Sequence, residues 1–519
     1  MSLKKRQADR HGTFAGNTPE RAIIDIGSNT VRLVVYGGSM RAPTVLLNEK
    51  VTARLGQDIS RTGLLADGAV DLAMRGLERF VVLLEDLDIK DIETVATAAV
   101  REASNGPEFI ARLNDLGLAT RVLSGEEEAC ISANGVAGAF PGAHGSVADL
   151  GGGSLEIVAI DDGEPGDPIS LPLGALRLPD YRAQSGNGSD ADLRKSLEKV
   201  IKKGGWDLSS RKSHEPLPLY LVGGTWRAMA VLAMQLRGHP LSDPHGFEVT
   251  RKEAMELAKA LASQNPDDLR ARDRISTMRA EKLPDSAVLL QALLAKLKPE
   301  KVVFSSWGLR EGLLYGRLAG HTKAQDPLLA GISVFATQRG APPTLAARMA
   351  GWTVDAAPAR NHGSERLRLA ATMLALASMQ IEPNIRLPQA IDWALHKRWI
   401  ALDGAQRAML AAAIAANGNV LDLPDSLHAL ASEEALEEAV CWGLAVRLAR
   451  RLGARSRRSL QVSRLLIREG DLLLRLATSH KALFGIPTEK DMRLLADRLG
   501  LDWRVEFVPD EELRADPDN

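Results

Sequence analysis

Two short stretches carry residue types that could do phosphate chemistry, and they repeat each other. Asp25-Ile-Gly-Ser-Asn-Thr30 and Asp149-Leu-Gly-Gly-Gly-Ser154 each place a carboxylate at the end of an apolar run, then a glycine turn rich in small hydrogen-bonding residues. Gly27 to Thr30 and Gly151 to Ser154 can bring backbone N–H groups close to an anion, because glycine admits near approach and successive amides form an anion-binding concavity. Carboxylates such as Asp25 and Asp149 suit a hard divalent cation that would accompany a phosphate. One such stretch alone reads as an ordinary hairpin; two of them read as halves of one cleft.

Further candidates lie between and after the halves. Arg101, at a strand-to-helix junction, is either a solvated helix residue or a planar fork for a phosphate. In Leu123-Ser-Gly-Glu-Glu-Glu-Ala129, Ser124 and Glu127 match a capping box, and Glu126 suits the positive end of a helix. Glu128 is left without a capping task, one turn into a helix that must cross between the halves; a surface charge is its alternative. Gly223-Gly224-Thr225 and Ser306-Trp-Gly-Leu-Arg310 are strand-turn-helix junctions whose amides, with Arg310, can face an anion.

The elements that must position these groups follow from periodicity. Ala22–Ile26 and Val31–Tyr36 read as paired strands, Val45–Arg54 as a third, Ala69–Leu87 as a helix, and Thr94–Thr97 as a strand. Residues 163–168 and 183–192 read as exposed turns. Breaks at Asp326-Pro327 and Ala341-Pro-Pro343 frame an expected linker. The domain expectation is a flexible tail over 1–19, two related α/β domains over 20–138 and 139–320, and a largely helical domain over 330–519 with strands near its end.

The 519 residues exceed one core, and 45% hydrophobic with 25% charged residues is the composition of a globular chain. Cys130 and Cys441 cannot form a disulfide framework, which suits a reducing cytoplasm. No apolar run reaches the ~20 residues of a membrane span, so no membrane partner is expected, and no nucleic-acid partner either. None of the ten histidines has metal-ligand spacing or stands beside an aspartate in sequence. Arg447, Arg450, Arg451, Arg455, Arg457, Arg458, Arg464 and Arg468 crowd into one span, either a solvated face or a grip for a long polyanion.

Taken together with Thr97-Ala-Ala-Val-Arg-Glu-Ala-Ser-Asn105 and the Gly312 that closes the Arg310 turn, these motifs resemble the exopolyphosphatase / guanosine pentaphosphate phosphohydrolase family along about 300 residues. The resemblance implies an actin-like fold of duplicated ribonuclease-H-like domains. It implies Glu128 as the group that activates water, Asp25, Asp149 and Glu156 around Mg²⁺, and Gly27–Thr30 with Gly151–Ser154 as phosphate loops; Arg101, Gly224 and Arg310 join them as phosphate-binding candidates. The implied reaction is release of orthophosphate from inorganic polyphosphate, with guanosine pentaphosphate as alternative substrate and a homodimer as the common assembly. The region from about 330 resembles the HD-like domain of long family members, without the His-Asp pair that catalysis there would need. A sugar or acetate kinase and a non-enzymatic polyphosphate-binding protein are the competing readings.

Overall fold

β1 (Pro19–Ile26) and β2 (Val31–Gly38) form the first expected hairpin, with Asp25 directly opposite Arg32. β3 (Pro43–Val51) joins β2 antiparallel, and β4 (Asp91–Ala96) and β5 (Thr120–Val122) add on the far side in parallel, giving the order β3-β2-β1-β4-β5. The computed structural model describes residues 18–205, 216–454 and 456–514; the expected tail lies outside them up to residue 17, and Pro19 already belongs to β1.

The second sheet repeats this path. β6 (Gly145–Leu150), β7 (Leu155–Asp161) and β8 (Glu164–Leu171) form antiparallel neighbours, and β9 (Leu219–Val222) and β11 (Lys301–Ser305) follow in parallel, with β10 (Glu248–Thr250) added antiparallel at the edge. Asp149 stands opposite Glu156 on β7, the register position that Arg32 holds opposite Asp25. The hairpin plus crossover strands have therefore been built twice, and both acids sit at the same end of the innermost strand.

Each sheet buries one face under its own helices. Leu77 and Phe80 of the helix Asp67–Asp86 pack on Ile24 and Leu33, and full burial of such side chains contributes roughly 1.5–3 kcal/mol each. Trp226, Leu289 and Leu293 pack on Leu221 and Phe304 beneath the second sheet. The helices Gly125–Ala139 and Leu309–Gly316 fill the space between the sheets, with Ala133 and Val136 against Val147 and Leu313 against Val34. They approach so closely that a Cβ on Gly312 would clash with the Ile131 carbonyl oxygen.

Four expectations need correction. Glu164–Leu171 is β8, not an exposed turn, because prolines are tolerated on an edge strand whose N–H groups face away from the ladder. Of residues 183–192, the first two end the helix Leu178–Gln184 and the last three start the helix Asp190–Lys203, capped by Ser189. The expected linker is helical: Pro327 and Pro343 open the helices Pro327–Thr337 and Pro343–Thr353, where a missing N–H costs nothing. The fourth is the arginine row, taken up with the second unit.

The chain divides into two compact units, Met1–Pro327 and Leu328–Asn519. The second unit is mainly helical, with Leu374, Leu410 and Leu448 of the helices Glu365–Ala377, Gly404–Asn417 and Glu433–Gly453 fully buried. It ends in a small sheet of β12 (Ser463–Arg468), β13 (Asp471–Ala477) and β14 (Asp502–Val508). The arginine row does not form one free face. Arg447 and Arg451 both hold the buried Asp491, at 2.8 and 3.0 Å, Arg464 pairs with Asp355 at 3.2 Å, and Arg468 lies 3.8 Å from Glu469. The helix also stops at Gly453, after which Ala454 turns left-handed at φ 45°; Arg455 lies outside the described residues. Among the described residues no helix is long and apolar enough to cross a membrane.

Candidate active site

The two glycine turns have the same internal geometry. Gly27 N–H donates to the Thr30 carbonyl and Gly151 N–H to the Ser154 carbonyl, both at 3.0 Å. Each is braced from outside: Arg54 and Gly56 N–H groups hold the Asn29 and Ser28 carbonyls, while Ala175 and Leu176 N–H groups hold those of Gly151 and Gly152. The turns also face each other closely, since a Cβ on Gly153 would lie 2.9 Å from Ser28 Oγ and 3.0 Å from Ala98 Cβ. Between them opens a cavity of about 340 Å³. Asp25, the four residues of the first turn, Glu128, Asp149, the Gly151–Ser154 turn, Gly224 and Arg310 all line it.

Arg101 and Glu156 stand just behind that wall. Arg101 donates to the Leu123 carbonyl at 2.7 Å and lies 3.5 Å from Glu128 Oε2, so in this arrangement it steers a carboxylate. Glu156 accepts from Ser170 Oγ at 2.9 Å through one oxygen and has the Ser154 hydroxyl beside it; its other oxygen is buried and, among the described residues, makes no hydrogen bond of ordinary geometry.

The capping box forms as expected: Ser124 Oγ accepts from Glu127 N–H at 3.1 Å and Glu127 Oε2 accepts from Ser124 N–H at 2.8 Å. Glu126 and Glu127 stay at the surface, and Glu128 turns inward to 7% exposure. The surface-charge alternative for Glu128 is thereby removed.

Four acids share this small volume, and each is held above its ordinary pKa first of all by loss of solvent. For Glu128 the next causes are Glu156 and Asp149, with Arg101 opposing, and the rise is large. Glu156 is pushed up to about 8, with Asp149 the next cause. Asp149 is moderated by the hydroxyl of Ser132, which donates to it, and Asp25 by Arg310 and Arg32. Negative charge is crowded here and incompletely matched. Yet among the described residues no group of three or more His, Cys, Asp or Glu stands ready as a metal cage.

Several lining cations escaped sequence reading: Arg32, Lys50, Arg227, Arg279 and Lys282. Arg32 and Lys50 are register partners of β2 and β3 and so continue a row that starts at Asp25. Arg227 donates to the Gly223 carbonyl at 3.3 Å, and Arg279 and Lys282 lie one turn apart on the helix Thr277–Leu297. Burial and Arg54 lower the Lys282 ammonium to about 8. Burial disfavours the Arg310 charge, but Glu311, Asp25, Tyr36 and Asp149 outweigh it. The Arg32 and Lys50 signal was present as alternation along the strands. For Arg279 and Lys282, Pro284 inside the helix hid the periodicity. Among the described residues no aromatic side chain lines the cavity.

Two sheets that share one five-strand order, each presenting a glycine turn and a strand-end acid to a common cleft, define the actin-like fold class. A solved exopolyphosphatase from Cytophaga hutchinsonii has this fold: it superposes with a TM-score of 0.51 at 24% identity, covering 57% of this chain and 96% of that one. The chain belongs to the Ppx/GppA phosphatase family, whose model matches residues 34–321, and it is a hydrolase. It is 28% identical over 313 residues to exopolyphosphatase 1 of Mycobacterium tuberculosis, covering 57% of this chain and 87% of the relative. Exopolyphosphatase 1 of Mycobacterium leprae is 28% identical over 319 residues, covering 57% and 88%. The match to the family model ends at residue 321, so the second unit stands outside it.

Proposed function

We propose that this phosphatase is an exopolyphosphatase, releasing orthophosphate from the end of inorganic polyphosphate. The observation that carries the reading is the lining of the cavity: two facing phosphate turns and six cations, with no ring against which a nucleobase could stack. A polyanion of repeating phosphates has use for every one of those groups. Guanosine pentaphosphate remains the second substrate, its phosphates in the same turns and its base outside the cavity.

In this reading the turns and Arg310 neutralise the terminal phosphoryl group as charge builds on its oxygens. Glu128, aimed by Arg101, accepts one proton of a water whose oxygen bonds to the terminal phosphorus. The bridging P–O bond breaks, its electron pair leaves with the shortened chain, and orthophosphate departs. A divalent cation fits the donor set, because Glu156, opposite Asp149, has a buried oxygen that makes no hydrogen bond of ordinary geometry among the described residues, and all the acids are hard oxygen donors. Asp149, Glu156 and, across the cleft, Asp25 are the acids from which one or two direct ligands to Mg²⁺ would come, the others acting through water; its use of few protein ligands suits a site without a three-ligand cage. When bound, it adds positive charge where phosphate charge accumulates. The two free cysteines agree with a cytoplasmic enzyme, and light scattering tests the homodimer.

The deciding experiment compares phosphate release from long polyphosphate, tripolyphosphate and guanosine pentaphosphate. The highest kcat/KM is expected for polyphosphate; a clear preference for the nucleotide would reverse the assignment, and binding without release would end the enzymatic one.

A further inference from the structure

Aromatic residues are scarce in this chain, 4% of the whole, and three of them gather with two unpaired cations in the second unit. The Arg339 guanidinium lies 3.7 Å over the Phe335 ring and 5.0 Å from that of Trp393. The Lys397 ammonium lies 5.4 Å from the same Phe335 ring and 4.9 Å from that of Trp399. Phe335 meets both tryptophans edge-on, with centroids 4.9 and 5.4 Å apart. Among the described residues neither Arg339 nor Lys397 has a carboxylate partner; Arg339 donates only to the Phe335 carbonyl, at 3.0 Å.

The nest is held rigidly. Arg407, buried to 2% exposure, donates to the carbonyls of Leu395, Lys397 and Trp399 at 3.2, 2.7 and 3.0 Å, so the turn carrying Lys397 is fixed from below. Trp399 Nε1–H donates to the Trp393 carbonyl at 2.7 Å and closes the turn. Phe335, Arg339, Trp393 and Lys397 remain half-buried, so a ligand can reach them. Burial and the neighbouring Arg339 and Arg398 lower the Lys397 ammonium from its ordinary range, and burial does the same for Arg339. Ring faces offset part of such crowding, whereas an incoming anion would satisfy both cations at once.

We propose that Arg339 and Lys397 bind the phosphates of a nucleotide whose base lies against the aromatic cluster, at a site in the second unit that takes no part in hydrolysis. Rings beside paired cations recognise a ligand with a flat apolar part and a charged one. A bare phosphate chain offers nothing to the rings, and the catalytic cavity, which has no ring, offers nothing to a base.

The test uses the full chain with GTP as probe, a chelator to prevent turnover, and tryptophan fluorescence as readout. Quenching with one half-saturation is expected. Lys397→Gln, and Lys397→Gln with Arg339→Gln, should raise that half-saturation by about ten-fold or more, the loss of a charge-assisted contact. Arg279→Gln should leave it unchanged, and both nest variants should release phosphate from polyphosphate at the unaltered rate, which also shows that they are folded. Tripolyphosphate should fail to compete at GTP concentrations. A half-saturation that moves with Arg279→Gln and not with Lys397→Gln places the nucleotide in the catalytic cavity and overturns the proposal. Equal competition by tripolyphosphate overturns the role given to the base.

Discussion

Replacing Glu128 by glutamine separates chemistry from architecture. The amide keeps the shape of the side chain and its place beside Arg101, but cannot take a proton from water. Loss of a general base typically lowers the rate about 10²- to 10⁴-fold, or roughly 3–5 kcal/mol of transition-state stabilisation. The same change should not harm the fold. The Glu128 carboxyl is raised by burial and then by Glu156 and Asp149, so its ionised form opposes folding, and a neutral amide relieves that opposition. Glu128→Gln is therefore expected to lose kcat with little change in KM and to melt at the same or a higher temperature, the difference growing as pH rises. Its control is Glu127→Ala, which removes the side-chain half of the capping box, leaves the backbone N–H of residue 127 on Ser124 Oγ, and should cost about 1 kcal/mol of stability while sparing kcat. Steady-state phosphate release and calorimetry on the two variants decide the matter. If Glu127→Ala is inactive and Glu128→Gln is not, the roles assigned to the two side chains are wrong.

Three further outcomes can be measured. With chelator present, melting temperature should fall as pH rises through about 8: Glu156 binds its proton more tightly folded than unfolded, so its contribution is complete below about 4.5 and lost above its folded value, and Glu156→Gln should flatten the profile. Magnesium should restore stability at the alkaline end; a flat metal-free profile in the parent protein would contradict the crowding of acids. Gly153→Ala would drive a methyl against Ser28 and Ala98 and spread the two turns, so kcat/KM should drop about 10- to 100-fold without unfolding; a normal value would show that the turns need not face each other so closely. Asp491→Asn should destabilise the second unit by about 3 kcal/mol, the low end for a buried pair because Arg451 is partly screened, while tripolyphosphate hydrolysis continues. Unchanged denaturant unfolding would mean that Arg447 and Arg451 find other partners.

The central hairpins were legible because a glycine turn following an apolar run constrains the backbone locally, so Asp25 and Asp149 could be placed at strand ends before any tertiary information. Glu128 emerged by elimination, once Ser124 and Glu127 had claimed the capping box. Arg279 and Lys282 could not be found that way, since they reach the cavity only through the packing of a helix whose Pro284 interrupts the usual signal. Prolines misled twice more, at β8 and at the start of the second unit, because a sheet edge and a helix's first turn both accept a residue without N–H. The arginine row shows a different limit: spacing along the chain says nothing of Asp491, which lies more than thirty residues further on and neutralises two of its members.

The register of the two hairpins has a directional consequence. A polyphosphate chain reads the same from either end, whereas the cleft does not: one strand pair sets Arg32 against Asp25, and the other sets a second acid, Glu156, against Asp149. The first lobe thus sets a cation against its acid, and the second sets two acids together. The halves are alike in backbone and differ in the side chain set opposite each strand-end acid. A substrate without polarity of its own therefore meets two unlike lobes on entering.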